Sequence, residues 1–304
     1  MPINWEGIFP AVTSKFTADD QLDIPAFTHN IEAQISAGID GIVLGGSLGE
    51  ASTLTYAERQ QLLRTALSIS NGRVPVLLNI AEKRTTDAIQ LAQEAEAMGA
   101  DGLMLLPPMQ YKADDHEVST FFKTVAQSTG LPIMLYNNPV DYKIFVSVPM
   151  LEELVQLENI QAIKESTRDI TNVTRMKNAF GDQLKILCGV DTLALECLVA
   201  GADGWVAGLV NAFPRETVVI YKLVKAGRIE EALAIYRWFM PLLELDIHPK
   251  LVQYIKLAEV ATGLGTEAVR QPRLPLVGEE RKRILDIIKQ GVASRPDLSS
   301  YAEL

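Results

Sequence analysis

Cysteine is scarce in this chain: Cys188 and Cys197 are the only two in 304 residues, and they form no C-x-x-C pair. A disulfide scaffold or thiolate zinc site is thereby excluded, and both thiols are expected to pack as small buried hydrophobes. Histidine is nearly as sparse. His29, His116 and His248 stand far apart and make no H-x-H or H-E-x-x-H, so no metal site is expected. Basic residues are outnumbered, with 28 Lys and Arg against 38 Asp and Glu, a formal charge of -10 and a pI near 4.9. With no Lys/Arg-rich run, neither a nucleic-acid groove nor an anionic membrane surface is an expected partner. No apolar run approaches a membrane span, and MPINWEGIFP carries no basic segment followed by an apolar one, so the expected location is the cytoplasm. Also missing is a G-x-G-x-x-G after the first apolar run, which removes the best sequence mark of a dinucleotide-binding sheet. No cofactor is implied.

What the chain does have is apolar mass and a repeat. Hydrophobic residues make up 48% of it, enough for one large core of α/β-barrel size. SAGIDGIVL (36–44), AMGADGLMLL (97–106) and VAGADGWVAGL (199–209) each put a glycine after a helical period, then an acidic-glycine turn, then an apolar run. That is a helix stop feeding a strand, three times over. GIFPAVT, VPVLLNIA, LPIMLYNN, IQAIKES and LKILCGVD bring the candidate strands to eight.

Helical segments lie between them. Thr55 with Glu58 forms a capping box, Thr85 or Thr86 is placed to cap the next helix, and Asp114 or Asp115 the one through FFKTVAQ. Near-continuous apolar strands alternating with helices predict a closed parallel (β/α)8 TIM barrel. Beyond residue 213 only helical patterns follow. The expected division is barrel strands and helices over 1–212, a last barrel helix to about 226, and a three-helix extension over 227–304.

Within IQAIKES, strand alternation puts Ala162, Lys164 and Ser166 on one face and Ile163 and Glu165 on the other. A lysine among small residues, at the strand end where such barrels carry function, suits Schiff-base chemistry, since partial desolvation favours the neutral amine that attacks a carbonyl. A salt-bridged structural lysine is the alternative. Glu165, facing away, is expected to make hydrogen bonds behind the barrel. Tyr136 ends strand five beside Asn137, Asn138 and Pro139. Gly45, Gly46, Ser47, Leu48, Gly49 and Glu50 end strand two, where glycines such as Gly46 expose N–H groups able to hold a carboxylate. The phenol of Tyr136 and the hydroxyl of Ser47 are candidate proton carriers. Trp205 either walls the pocket or packs against helices, and Tyr236, Trp238 and Phe239 are expected in the core or at a subunit interface.

GSLGE on strand two, YNNP on strand five, IKES on strand six and GVD after strand seven, in that order, resemble the dihydrodipicolinate synthase and N-acetylneuraminate lyase superfamily across essentially the whole chain. The resemblance implies a (β/α)8 barrel with a three-helix carboxyl extension and a tetramer built as a dimer of dimers. It also implies Lys164 as the Schiff-base lysine, Tyr136 as the proton-shuttling tyrosine and Ser47 as the first hydroxyl of the strand-two pair. The backbone of Leu48 would bind the substrate carboxylate, and Gly189 and Val206 would line the pocket near the lysine. Two departures stand out. Leu48 replaces the second hydroxyl residue, and Asp141 stands where the synthase has an arginine, so an anionic distal group would be repelled. Tyr111 falls one position from the tyrosine that a neighbouring subunit supplies in the synthase.

The expected function is therefore a Schiff-base-forming lyase acting on a 2-oxo acid or cyclic imino acid: a 2-keto-3-deoxy sugar acid dehydratase or aldolase, or a hydroxypyrroline-carboxylate deaminase. Asn138 and Asp141 are the candidates for reading the distal substrate end. Dihydrodipicolinate synthase proper, a non-catalytic 2-oxo-acid-binding barrel and a phosphate-binding barrel enzyme are the alternatives, the last without a clear phosphate cradle at Gly189 or Gly208.

Overall fold

The computed structural model describes residues 3–301. Eight strands run β1 (Gly7–Pro10), β2 (Ile42–Leu44), β3 (Val76–Ile80), β4 (Gly102–Leu105), β5 (Ile133–Asn137), β6 (Ile160–Glu165), β7 (Lys185–Cys188) and β8 (Gly204–Ala207). All pair in parallel in the order β1-β8-β7-β6-β5-β4-β3-β2. The β1–β2 seam is closed by a parallel bridge between Ala11 and Val43, with Val12 N donating to Val43 O at 3.0 Å. The result is a (β/α)8 TIM barrel whose strand residues are almost all buried.

The repeated acidic-glycine turn has one physical task in all three copies. Asp40, Asp101 and Asp203 each precede a strand, and each carboxylate accepts a backbone N–H from the neighbouring strand: Ile8, Val76 and Ile186, all at 2.8 Å. A strand start that would otherwise bury an unpaired donor is thereby satisfied. The expected capping boxes Thr55–Glu58 and Asp114–Glu117 are both formed. Thr85 and Thr86 are not caps. The helix already begins at Thr85, with Arg84 at the cap position, and the Arg84 guanidinium binds Asp87 of the first turn through two hydrogen bonds of 2.8 and 2.6 Å.

After the last barrel helix, Pro214–Lys225, come three further helices: Ile229–Leu243, Leu251–Thr262 and Gly278–Ala293. Trp238 and Phe239 stack with ring centroids 5.2 Å apart, and Phe239 meets Phe213 edge-on at 5.5 Å, so this cluster belongs to the core. Tyr236 ties the first extension helix to the loop after β7, donating to Asp191 O at 2.8 Å and accepting from Ala194 N at 3.1 Å. The helix Leu251–Thr262 sends two charges into the barrel. Lys256 pairs with Glu50 at 2.5 Å and Glu259 with Lys15 at 2.9 Å, and all four side chains are fully buried. Glu50 also accepts from Arg270 N at 3.1 Å, so the end of the strand-two loop is held by the extension.

Candidate active site

A cavity of about 110 Å³ opens at the carboxyl ends of the strands. Lys164, Tyr136, Ser47, Gly46, Leu48, Asn138, Asp141, Gly189 and Val206 all line it, so nine residues drawn from five parts of the sequence share one site. Parallel strands bring their carboxyl ends to one face, and alternation along β6 turns Lys164 inward while Glu165 points out. Behind the barrel Glu165 accepts from Thr167 N at 2.7 Å, Asn172 Nδ2 at 2.8 Å and Asn137 Nδ2 at 3.2 Å. It has no part in the cavity.

Lys164 is 7% exposed, and its ammonium nitrogen lies 4.2 Å from the Tyr136 ring centroid. Burial lowers the lysine pKa, partly opposed by nearby Tyr142, Asp246 and Asp191. A cation in this place loses hydration, and the neutral nucleophilic amine is favoured. Burial likewise raises Tyr136 to about 12, so its phenol keeps its proton until a charged intermediate draws it off. Asn138 orders the tyrosine's end of the site. Its Nδ2 donates to Tyr136 Oη at 3.2 Å and to Asp141 Oδ2 at 2.7 Å, while its Oδ1 accepts from Asp141 N at 3.2 Å as the cap of the short helix Pro139–Tyr142.

The hydroxyl that Ser47 bonds is that of Tyr142, at 2.7 Å, rather than Tyr136. Tyr142 in turn meets Tyr136 edge-on with centroids 5.5 Å apart, and its own pKa is pushed up to about 12 by burial. The short helix after Pro139 folds Tyr142 back over the cavity, which a strand-end reading of Tyr136 and Ser47 could not show. Among the described residues the N–H groups of Ser47 and Leu48 donate to no protein acceptor, leaving two unpaired donors on residues that line the cavity.

Of the other residues that line the cavity, four bring polar or charged side chains, Tyr142, Ser166, Arg168 and Asp246, and of these the sequence placed only Ser166 on the lysine's face. Ser166 follows from the same alternation that places Lys164. Arg168 sits just beyond β6 in a left-handed turn, with φ of 64°. Asp246 comes from the turn Glu244–Ile247 of the extension. Trp205 is fully buried and donates to Asp191 at 2.9 Å; it packs rather than walls the cavity. Tyr111 is 58% exposed and outside it. Both cysteines are free and buried, and no group of three metal-binding side chains occurs among the described residues.

A parallel eight-stranded barrel with a desolvated lysine at the end of its sixth strand, two phenols beside it and unpaired amides in the same cavity defines a Schiff-base class of enzyme. Residues 4–291 match the dihydrodipicolinate synthetase family, and the chain belongs to that family. It is similar to 4-hydroxy-tetrahydrodipicolinate synthase of Exiguobacterium sibiricum, at 34% identity over 90% of this chain and 92% of that one. Among solved structures it is similar to dihydrodipicolinate synthase of Bacillus anthracis, with a TM-score of 0.92 and 29% identity over 97% of this chain and 100% of that one. A prophage protein of the same family from E. coli K12, solved in complex with pyruvate, matches with a TM-score of 0.89 and 29% identity over 95% and 99% of the two chains. The chain is a lyase of the dihydrodipicolinate synthase and N-acetylneuraminate lyase superfamily.

Proposed function

We propose that this lyase forms a Schiff base between Lys164 and a 2-oxo acid or cyclic imino acid whose distal part is hydroxylated and uncharged. That covers dehydration or aldol cleavage of a 2-keto-3-deoxy sugar acid, and opening with deamination of a hydroxypyrroline carboxylate. The observation that carries the reading is the Asp141 side chain on the wall of the lysine's cavity. A carboxylate brought to about 4 Å from another is repelled by roughly 4 kcal/mol at an effective dielectric near 20, so an anionic tail is rejected. The substrate carboxylate goes to the Ser47 and Leu48 amides, its C2 carbon to Lys164, and Tyr136 moves the protons. The pyruvate held by the E. coli relative supports a 2-oxo-acid half-site of this kind.

Condensation of pyruvate with aspartate semialdehyde is the second reading. It is favoured by the names of relatives and by Arg168, a guanidinium on the cavity wall that could receive a second carboxylate. Equal amounts of enzyme assayed on the semialdehyde, a hydroxypyrroline carboxylate and a 2-keto-3-deoxy acid separate the two. Turnover of either hydroxylated substrate with little condensation is expected; dominant condensation overturns the proposal in favour of the synthase. The same preparation, sedimented, tests the homotetramer that we infer from the family.

A further inference from the structure

The cavity has one wall that the barrel does not make. The turn Glu244–Ile247, between the first two extension helices, places Asp246 and Ile247 in it, and Leu251 opens the next helix beside them. Room for the carboxyl exists because the residue just past β8 is a glycine: a β-carbon at Gly208 would stand 2.2 Å from Asp246 Oδ1. We propose that Asp246 is a catalytic acid, delivered by the extension to protonate the hydroxyl that leaves the carbon β to the Lys164 imine. The proposal rests on the Schiff-base lyase reading above and adds to it the group that carries the leaving oxygen away.

The other cavity residues make the choice. Dehydration through an enamine needs a proton donor at the oxygen, because hydroxide is a poor leaving group. Tyr136 already carries the protons of imine formation and of the carbon next to the imine, Tyr142 is a weak acid raised to about 12, and the Asp141 carboxylate is held by Asn138 Nδ2. Asp246 remains. Burial, reinforced by the neighbouring Asp191 carboxylate, pushes its pKa well above the ordinary carboxyl range. Burial raises Asp191 as well, but that carboxylate accepts from Trp205 Nε1 at 2.9 Å, Leu209 N at 2.8 Å and Gly208 N at 3.1 Å. These donors favour its charged form, so of the two raised carboxyls Asp246 is the proton carrier.

Imine formation expels the carbonyl oxygen as water, using the Tyr136 proton, and leaves a phenolate beside the iminium. That phenolate takes a proton from the carbon next to the imine, giving the enamine. The enamine electrons then form the new carbon–carbon double bond and restore the iminium as the carbon–oxygen bond breaks. Its oxygen takes the Asp246 proton and departs as water, and the aspartate recovers a proton when water hydrolyses the iminium.

The test compares a 4-hydroxy-2-oxo acid with its 4-fluoro analogue, whose fluoride leaves with less help from an acid, and also traps pyruvate on Lys164 with borohydride. In Asp246→Asn, hydroxyl loss should fall by about 10²-fold or more and fluoride loss by less than about 10-fold, with the Lys164 adduct still formed. Gly208→Ala, which displaces the carboxyl without removing it, should move the two rates in the same unequal way. Equal falls in both rates, or no fall, with the adduct retained overturn the role of Asp246 and leave the lyase reading standing. Absence of the adduct in the wild-type protein overturns both.

Discussion

Position 189 has no room for a side chain because Lys164 runs through the space one would fill. A β-carbon on Gly189 would stand 2.6 Å from Lys164 Cε, 2.7 Å from its Cγ and 2.2 Å from Ser166 Oγ. The glycine of the G-V-D stretch after β7 thus sets the course of the lysine along the cavity wall. Gly189→Ala should slow borohydride trapping of pyruvate by about tenfold or more, and the clash should cost about 1–3 kcal/mol in urea unfolding. Trapping at the wild-type rate would show that the lysine has another route to the cavity.

Lys164 itself should be covalently modified. Pyruvate with borohydride is expected to add one adduct per chain, on Lys164, and Lys164→Ala to abolish it; peptide mapping by mass spectrometry reads the position. An adduct on a different lysine removes Lys164 from the mechanism.

The lowered pKa of Lys164 has a sign that equilibrium unfolding can read. Between its folded value and the ordinary lysine value of 10.5, the unfolded chain binds the extra proton, so this residue's contribution to stability rises with pH there. Below the folded value its full cost is present. Lys164→Met should therefore be more stable than wild type at neutral pH, and the gap should narrow as pH climbs toward 10.5. A gap that widens with pH would mean that the lysine is stabilised as a cation.

Ser47 and Tyr142 share a 2.7 Å hydrogen bond, and a shared bond predicts non-additivity. Tyr136→Phe should lower kcat by roughly 10²-fold or more. Ser47→Ala and Tyr142→Phe should each lower kcat, and the double variant should lose clearly less than the product of the two. Full additivity would place the two hydroxyls on separate tasks.

Removing one partner of the buried Lys256–Glu50 pair strands the other charge in the interior. Glu50→Gln or Lys256→Met should cost about 3–5 kcal/mol, and replacing both should cost markedly less. Denaturant melts of the three variants check this.

The barrel and half of the site were legible because both follow from periodicities of the chain. Apolar runs between helical periods give the strands, and alternation along IQAIKES separates Lys164 and Ser166 from Glu165. Strand ends give Tyr136 and the Ser47 loop, because a parallel barrel collects them on one face. Tyr142 was hidden by the turn after Pro139, whose direction depends on the Asn138 cap. Asp246 was hidden more deeply. LELDIH reads as an ordinary helix-to-helix turn, and only the packing of the extension, pinned by Tyr236 on Asp191 and by Lys256 on Glu50, brings it to the lysine. The cap expected at Thr85 or Thr86 failed for a local reason, a helix that starts one residue early behind an arginine.

The four buried charges Lys15, Glu50, Lys256 and Glu259 alternate in sign and come half from the barrel and half from one extension helix. A chimera that grafted a relative's carboxyl helices onto this barrel would inherit both halves only by accident. Domain shuffling and truncation therefore treat this chain as indivisible, and the extension must be transferred together with Lys15 and Glu50, or with two neutral residues of matching size in their place.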